Sequence, residues 1–190
     1  MSAVLRRLDD TLVAPDASAG ERLLGYGAAS AGALVAVLAG AGAGWSILTV
    51  LVLGVLAFDL FGGATVNAMD AAKRWWHRPG QGAGRHLAFV AVHVQPFLVA
   101  WVVPGFGWIT AAGLYLATLV AAGIVLATPL RYRRPVGFTV TTLTLAVVLA
   151  AAAVPAAVAW FVPVLLIKLL LAHLQPEGAA DCAERNAGDR

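Results

Sequence analysis

The sequence predicts an all-α, polytopic integral membrane protein with six transmembrane helices in three short-looped hairpins. Three observations predict it. The chain is 61% hydrophobic and only 12% charged, with a mean hydropathy of +0.83. A soluble domain carries about twice that charge. The apolar residues also lie in runs long enough to cross a bilayer, which takes about 20 residues. Finally, basic and uncharged connectors alternate along the chain, as they do when Lys and Arg are retained on the cytoplasmic side. The domain reading is a leader over 1–22, a six-helix domain over 23–174, and a disordered cytoplasmic tail over 175–190.

The leader does not read as a signal peptide. Asp9, Asp10, Asp16 and Glu21 interrupt it, and no apolar stretch follows Arg6 and Arg7. Val4, Leu5, Leu8 and Leu12 fall at helical spacing, so a short interfacial helix is one expectation and a frayed polar leader the other. The first span is expected from Leu23 to Gly42 and the second from Trp45 to Ala68. The third runs from His86 to Val103 and the fourth from Trp108 to Pro129. The run from Val136 to Leu174 is too long for one span at about 1.5 Å per residue. It is expected to fold into two helices around a turn near Pro155 to Phe161.

The connector after the second span carries Lys73, Arg74, Arg78 and Arg85, and the one after the fourth carries Arg131, Arg133 and Arg134. AGAG, VPGFG and AVPAAVAW carry no charge. Both basic connectors and both termini are therefore expected on the cytoplasmic side, with Trp45, Trp108 and Trp160 as a belt at the other. Eleven of the 13 Lys and Arg residues are Arg, a bias that points to a GC-rich bacterial genome and hence a bacterial cytoplasmic membrane. The sequence pI of about 9.5 reflects these membrane flanks, so no nucleic-acid partner is expected. The lone Cys182 excludes an internal disulfide.

Small residues recur every four positions at Gly32, Ala36 and Gly40, and at Gly113, Ala117 and Ala121. Such stripes let helix backbones approach closely, within the bundle or in a self-associating face. The TVTTLT run at Thr139 to Thr144 is expected to bond back to its own helix carbonyls.

Candidate chemistry concentrates between Asp59 and His93, which holds three of the four histidines. Ionisable groups in hydrocarbon are costly and often functional. With the second and third spans antiparallel around Trp76, Asp59 matches the depth of His93, and Asn67 that of His86. This predicts two polar rungs, the deeper about 10 Å further in at helical rise. Asp59 and His93 are the proton-exchange candidates, because a buried carboxylate needs a partner and histidine titrates near neutral pH. Lys168 in the last span is a competing partner for Asp59, as an ion pair that fixes packing or as a lysine that snorkels to the surface. Pro96 removes a backbone donor and frees the carbonyl of Val92 beside His93. Gly62 and Gly63 leave room beside Asp59.

Asn67, His86, Lys73, Arg74, His77 and Arg78 are the candidate ligand-binding residues at the mouth. In KRWWHRPGQG, cations lie beside Trp75 and Trp76, a combination suited to anionic lipid headgroups. His86 and His93 are about 10 Å apart along one helix, too far to share a metal ion. No metal and no cofactor are expected. Proton-linked transport through a cytoplasm-facing polar site between the second and third helices is the leading expectation. An integral membrane enzyme acting on a lipid or isoprenoid phosphate, and a non-catalytic partner subunit or assembly factor, are the alternatives. The expected partners are the anionic bilayer and a second copy or another membrane subunit.

Overall fold

The structure is a computed structural model, and it describes residues 13–176. Val4, Leu5, Leu8 and Leu12 of the leader, and the tail beyond Pro176, lie outside the described residues. Every regular element in the described chain is helical. Six segments are long and apolar enough to cross a membrane, the signature of a multi-pass membrane protein: Ala19–Gly42, Ile47–Asn67, Ala83–Val102, Trp108–Ala127, Leu130–Ala151 and Ala156–His173.

Helix α1, Ala19–Gly42, starts four residues before the expected span because Ser18 and Glu21 form a reciprocal cap. Glu21 N–H donates to Ser18 Oγ at 3.2 Å, and Ser18 N–H donates to Glu21 Oε2 at 2.7 Å. Helix α2, Ile47–Asn67, is capped by Ser46 after a tight turn in which Gly44 takes φ +71°. The two helices lie together along the small-residue stripe of α1, where Gly25, Ala29, Gly32, Ala36 and Gly40 are all buried. The matching stripe of the fourth span behaves differently, since Gly113 meets nothing within 4 Å.

The basic connector is more ordered than a loop. Asp70–Trp76 forms a short helix, α3, under which Val13, Ala14, Val66, Ala71 and Ala72 make a small core. The third span is broken into α4, Ala83–Ala91, and α5, Gln95–Val102. Pro96 sits in the first turn of α5, where its missing N–H costs nothing. The Val92 carbonyl is not left free as expected, because it accepts from Val94 N–H at 2.9 Å. The carbonyl that the break exposes is that of Ala91, and Tyr115 Oη–H donates to it at 2.7 Å.

Helix α6 runs Trp108–Ala127 and α7 runs Leu130–Ala151. The RYRR segment, expected as a connector, forms the first turn of α7, with Pro135 inside the helix. Two of the four threonines in the run bond back as expected: Thr139 Oγ1–H donates to Pro135 O and Thr142 Oγ1–H to Phe138 O, each at 2.9 Å. Thr141 Oγ1 is buried without a partner. The last span opens with a 3₁₀ turn at Ala156–Val158, continues as α8, Phe161–Leu166, and widens into a π-helical segment, Ile167–His173. The irregular stretch between α7 and α8, at 152–160, overlaps the turn expected near Pro155 to Phe161. This last span is the most buried of the six and forms the bundle's axis. Gln175, read from sequence as tail, is only 2% exposed.

Candidate functional site

Two polar sites emerge, one deep and one at the basic end. The deep site forms around Asp59 on α2. Its carboxylate does not bond His93. Lys168 Nζ, from the π segment, donates to Asp59 Oδ2 at 2.7 Å and to the Asp59 carbonyl at 3.3 Å. Gln95, the first residue after the break in the third span, donates from Nε2 to the same Oδ2 at 3.1 Å. The Lys168 side chain is 4% exposed and that of Asp59 50%. Gly63 makes the approach possible: a Cβ there would lie 2.5 Å from Lys168 Cε and 2.9 Å from Nζ. The room expected beside Asp59 is therefore taken by the lysine stem. Gly62 meets Ala29 of α1 in the same way. The open side of Asp59 faces a mainly apolar cleft of about 260 Å³ between α1 and α2, lined also by Tyr26, Phe58 and Val66.

His93 lies in the helix break itself. Its Nδ1 is 2.6 Å from the Phe89 carbonyl, which only accepts, so Nδ1 carries the proton and donates. It remains within electrostatic reach of both Lys168 and Asp59. The expected inner rung of Asn67 and His86 is likewise replaced. Asn67 is buried at the end of α2, while His86 meets His77 and His173 instead.

His173, at the end of the π segment, is the hub of the second site and is 1% exposed. Its carbonyl accepts from His77 Nε2–H at 3.0 Å. Its own Nε2 lies 3.2 Å from His86 Nδ1, and its Nδ1 is buried without a partner. A buried N–H with no acceptor costs more than a bare lone pair. His173 is therefore best protonated on Nε2, donating to His86, which leaves His86 with its remaining N–H on Nε2. The rings of His77 and His86 stack at 4.6 Å and 23°. Phe89 stacks on His173 at 3.8 Å and packs against His93 at 4.6 Å. An apolar ring thus stands between the two sites.

Burial pushes the His77 imidazole down from 6.5 to about 4. The neighbouring His86, Lys73 and Arg133 act the same way, and the bond to the His173 carbonyl partly opposes them. Lys73, expected at a lipid headgroup, instead points inward and donates to the carbonyls of Ala172 and Gln175. A cation there stabilises the C-terminal end of the last helix. Arg78 stacks its guanidinium 3.7 Å over Trp75, and Arg74 is exposed. His77, His86 and Lys73 are thus brought together, whereas Asn67, Arg74 and Arg78 stand apart. Sequence reasoning did not single out Gln95, Arg133, His173 or Gln175 as site residues.

Among the described residues, no three His, Cys, Asp or Glu side chains converge as metal ligands do. Compared with protein-family models, curated proteins and solved structures, the chain finds no match. The chemistry of the two sites therefore carries the functional reading.

Proposed function

We propose that the protein is a multi-pass membrane protein of proton-linked transport, in which Asp59 and Lys168 form the proton-exchanging pair. The observation that carries this is where the pair sits. Lys168 lies in a π segment, Asp59 bonds the first residue of a broken helix, and both irregularities meet at one charge pair inside apolar spans. π segments and broken helices recur at functional sites, and ionisable residues inside apolar spans are rare and mark substrate or ion pathways. A proton delivered to Asp59 would neutralise the carboxylate and release both Lys168 and Gln95. That would loosen α2 from the π segment and from α5 together. His93, which interacts electrostatically with both charges, is a group that could relay or hold that proton.

The membrane setting has its own support. Leu24, Leu34, Leu48, Ile109, Leu116 and Leu143 all face outward, more apolar surface than a soluble monomer tolerates. The basic segments, α3 with its following loop and the start of α7, converge on the end of the last helix, where Gln175 donates to the Arg133 carbonyl at 3.5 Å. That end is assigned to the cytoplasm by its cations. Three hairpins closed by the uncharged connectors at 43–46, 103–107 and 152–160 complete the topology.

The test is proton flux into liposomes containing the purified protein, driven by a potassium diffusion potential and read with an entrapped pH dye. Asp59→Asn and Lys168→Met are each expected to lower flux at least about tenfold. Flux unchanged in both variants, or wild-type flux equal to that of protein-free liposomes, overturns the proposal.

A further inference from the structure

The basic end holds a second cavity that the deep pair does not use. It is a half-enclosed cleft of about 390 Å³, lined by His77, Gln81, Ala83, His86, Leu126, Leu130, Arg133 and Pro176. Among the described residues, no Asp or Glu lines it. Arg133 is placed there rather than left waving in solvent, since its Nη2 donates to the carbonyls of Leu126 at 3.2 Å and Thr128 at 3.4 Å. Its Nε is buried and has no partner. The guanidinium is thus oriented by two carbonyls, neither of which neutralises it.

The histidines add donors. His86 gives its Nδ1 lone pair to His173, so its Nε2–H is the group it can offer to an occupant of the cleft. His77 already spends Nε2–H on the His173 carbonyl, so it can offer a second donor only by taking a proton at Nδ1. Among the described residues, the charged and titratable groups that bear on His77 are Lys73 from α3, His86 from α4, His173 from the last span and Arg133 from α7. All are cationic or neutral. Among the described residues, the cleft presents cationic groups and no acidic side chain.

We propose that this cleft binds a phosphate-type anion, gripped by Arg133 with His86 and Gln81 as further hydrogen-bond donors and His77 as a group that takes up a proton when the anion enters. Planar guanidinium donors match phosphate oxygens, and charged hydrogen bonds are the strong ones. The anion is either a free phosphate or the headgroup of an anionic lipid. The assignment does not depend on the deep pair, because Phe89 separates the two sites.

The test uses the full-length protein in nanodiscs, with histidines followed by NMR. In pure phosphatidylcholine discs, inorganic phosphate is expected to shift the His86 and His77 signals and raise the His77 titration midpoint, whereas chloride at matched ionic strength does neither. In discs containing phosphatidic acid, the same shifts without added phosphate, together with lipid retained in native mass spectrometry, assign the occupant as a headgroup. Arg133→Gln is expected to weaken whichever binding is seen by at least about tenfold. Arg131→Gln, at an exposed arginine on the same helix, leaves it unchanged. Wild-type histidine signals that move with neither phosphate nor phosphatidic acid overturn the proposal, even where Arg133→Gln fails to fold. Binding that Arg133→Gln and Arg131→Gln affect equally overturns it too.

Discussion

His77 shows how a residue read as a surface ligand becomes part of a core. On sequence it belongs to a cationic loop; in the fold its ring stacks on His86 and bonds the last helix. Its pKa, pushed down to about 4 by burial and then by its neighbours, makes a signed prediction. The unfolded chain binds a proton near 6.5 that the folded chain refuses until about 4. The stabilising contribution of neutral His77 is therefore complete above about 6.5 and is lost as pH falls toward 4. A histidine NMR titration of the apo protein is expected to place its midpoint near 4, and a midpoint near 6.5 would contradict the burial seen here. The Asp59 partnership teaches a related lesson. Matching residues by depth put His93 first and left Lys168 as a competing partner, because both heights agree with Asp59. Side-chain reach decides between them. Lysine's four-carbon stem passes over Gly63, while His93 is held back by the Phe89 carbonyl.

At the scale of elements, the long apolar runs and their ends were legible because span length and connector chemistry are written in composition. Pro96 signalled a local disturbance near His93, but not the full break of the third span into α4 and α5. What closes that break, Tyr115 on α6, was invisible, since nothing local in sequence ties a tyrosine to a carbonyl 24 residues away. The π segment was equally silent, because no residue type marks it. The first turn of α7 was misread as loop because its arginines were taken as topology signals, although Arg is a good helix former. The packing of α2 on the π segment turns on Gly63. Gly63→Val must displace the Lys168 stem and is expected to destabilise the protein by about 1–3 kcal/mol, read as a lower melting temperature in detergent. Gly113→Leu, at a site with open space around it, is expected to leave melting unchanged. Equal effects of the two would contradict the close approach of Lys168 to α2.

For the molecule as a whole, charge does two jobs that sequence alone blends together. The cations of α3, its loop and early α7 gather at one end, which sets the proposed orientation. A subset of them, Lys73 and Arg133, turns inward to hold the last helix and shape a cleft. The orientation predicts that a membrane-impermeant maleimide added to intact cells leaves Cys182 unlabelled until the membrane is permeabilised. Labelling in intact cells would invert the topology. The central claim is that Asp59 and Lys168 exchange a proton instead of merely holding two helices together. Asp59→Asn strands the buried Lys168 charge and costs on the order of 3 kcal/mol, whereas Lys168→Met strands a half-exposed carboxylate and costs less. The exchanged pair, Asp59→Lys with Lys168→Asp, restores opposite charges but puts the carboxylate where only 4% of the side chain is exposed. The decisive measurement is proton flux of that double variant in liposomes, with its melting temperature recorded alongside. The account predicts melting recovered toward wild type and flux still at the level of the single variants. Wild-type flux in the exchanged pair would contradict it, leaving the ion pair as packing alone.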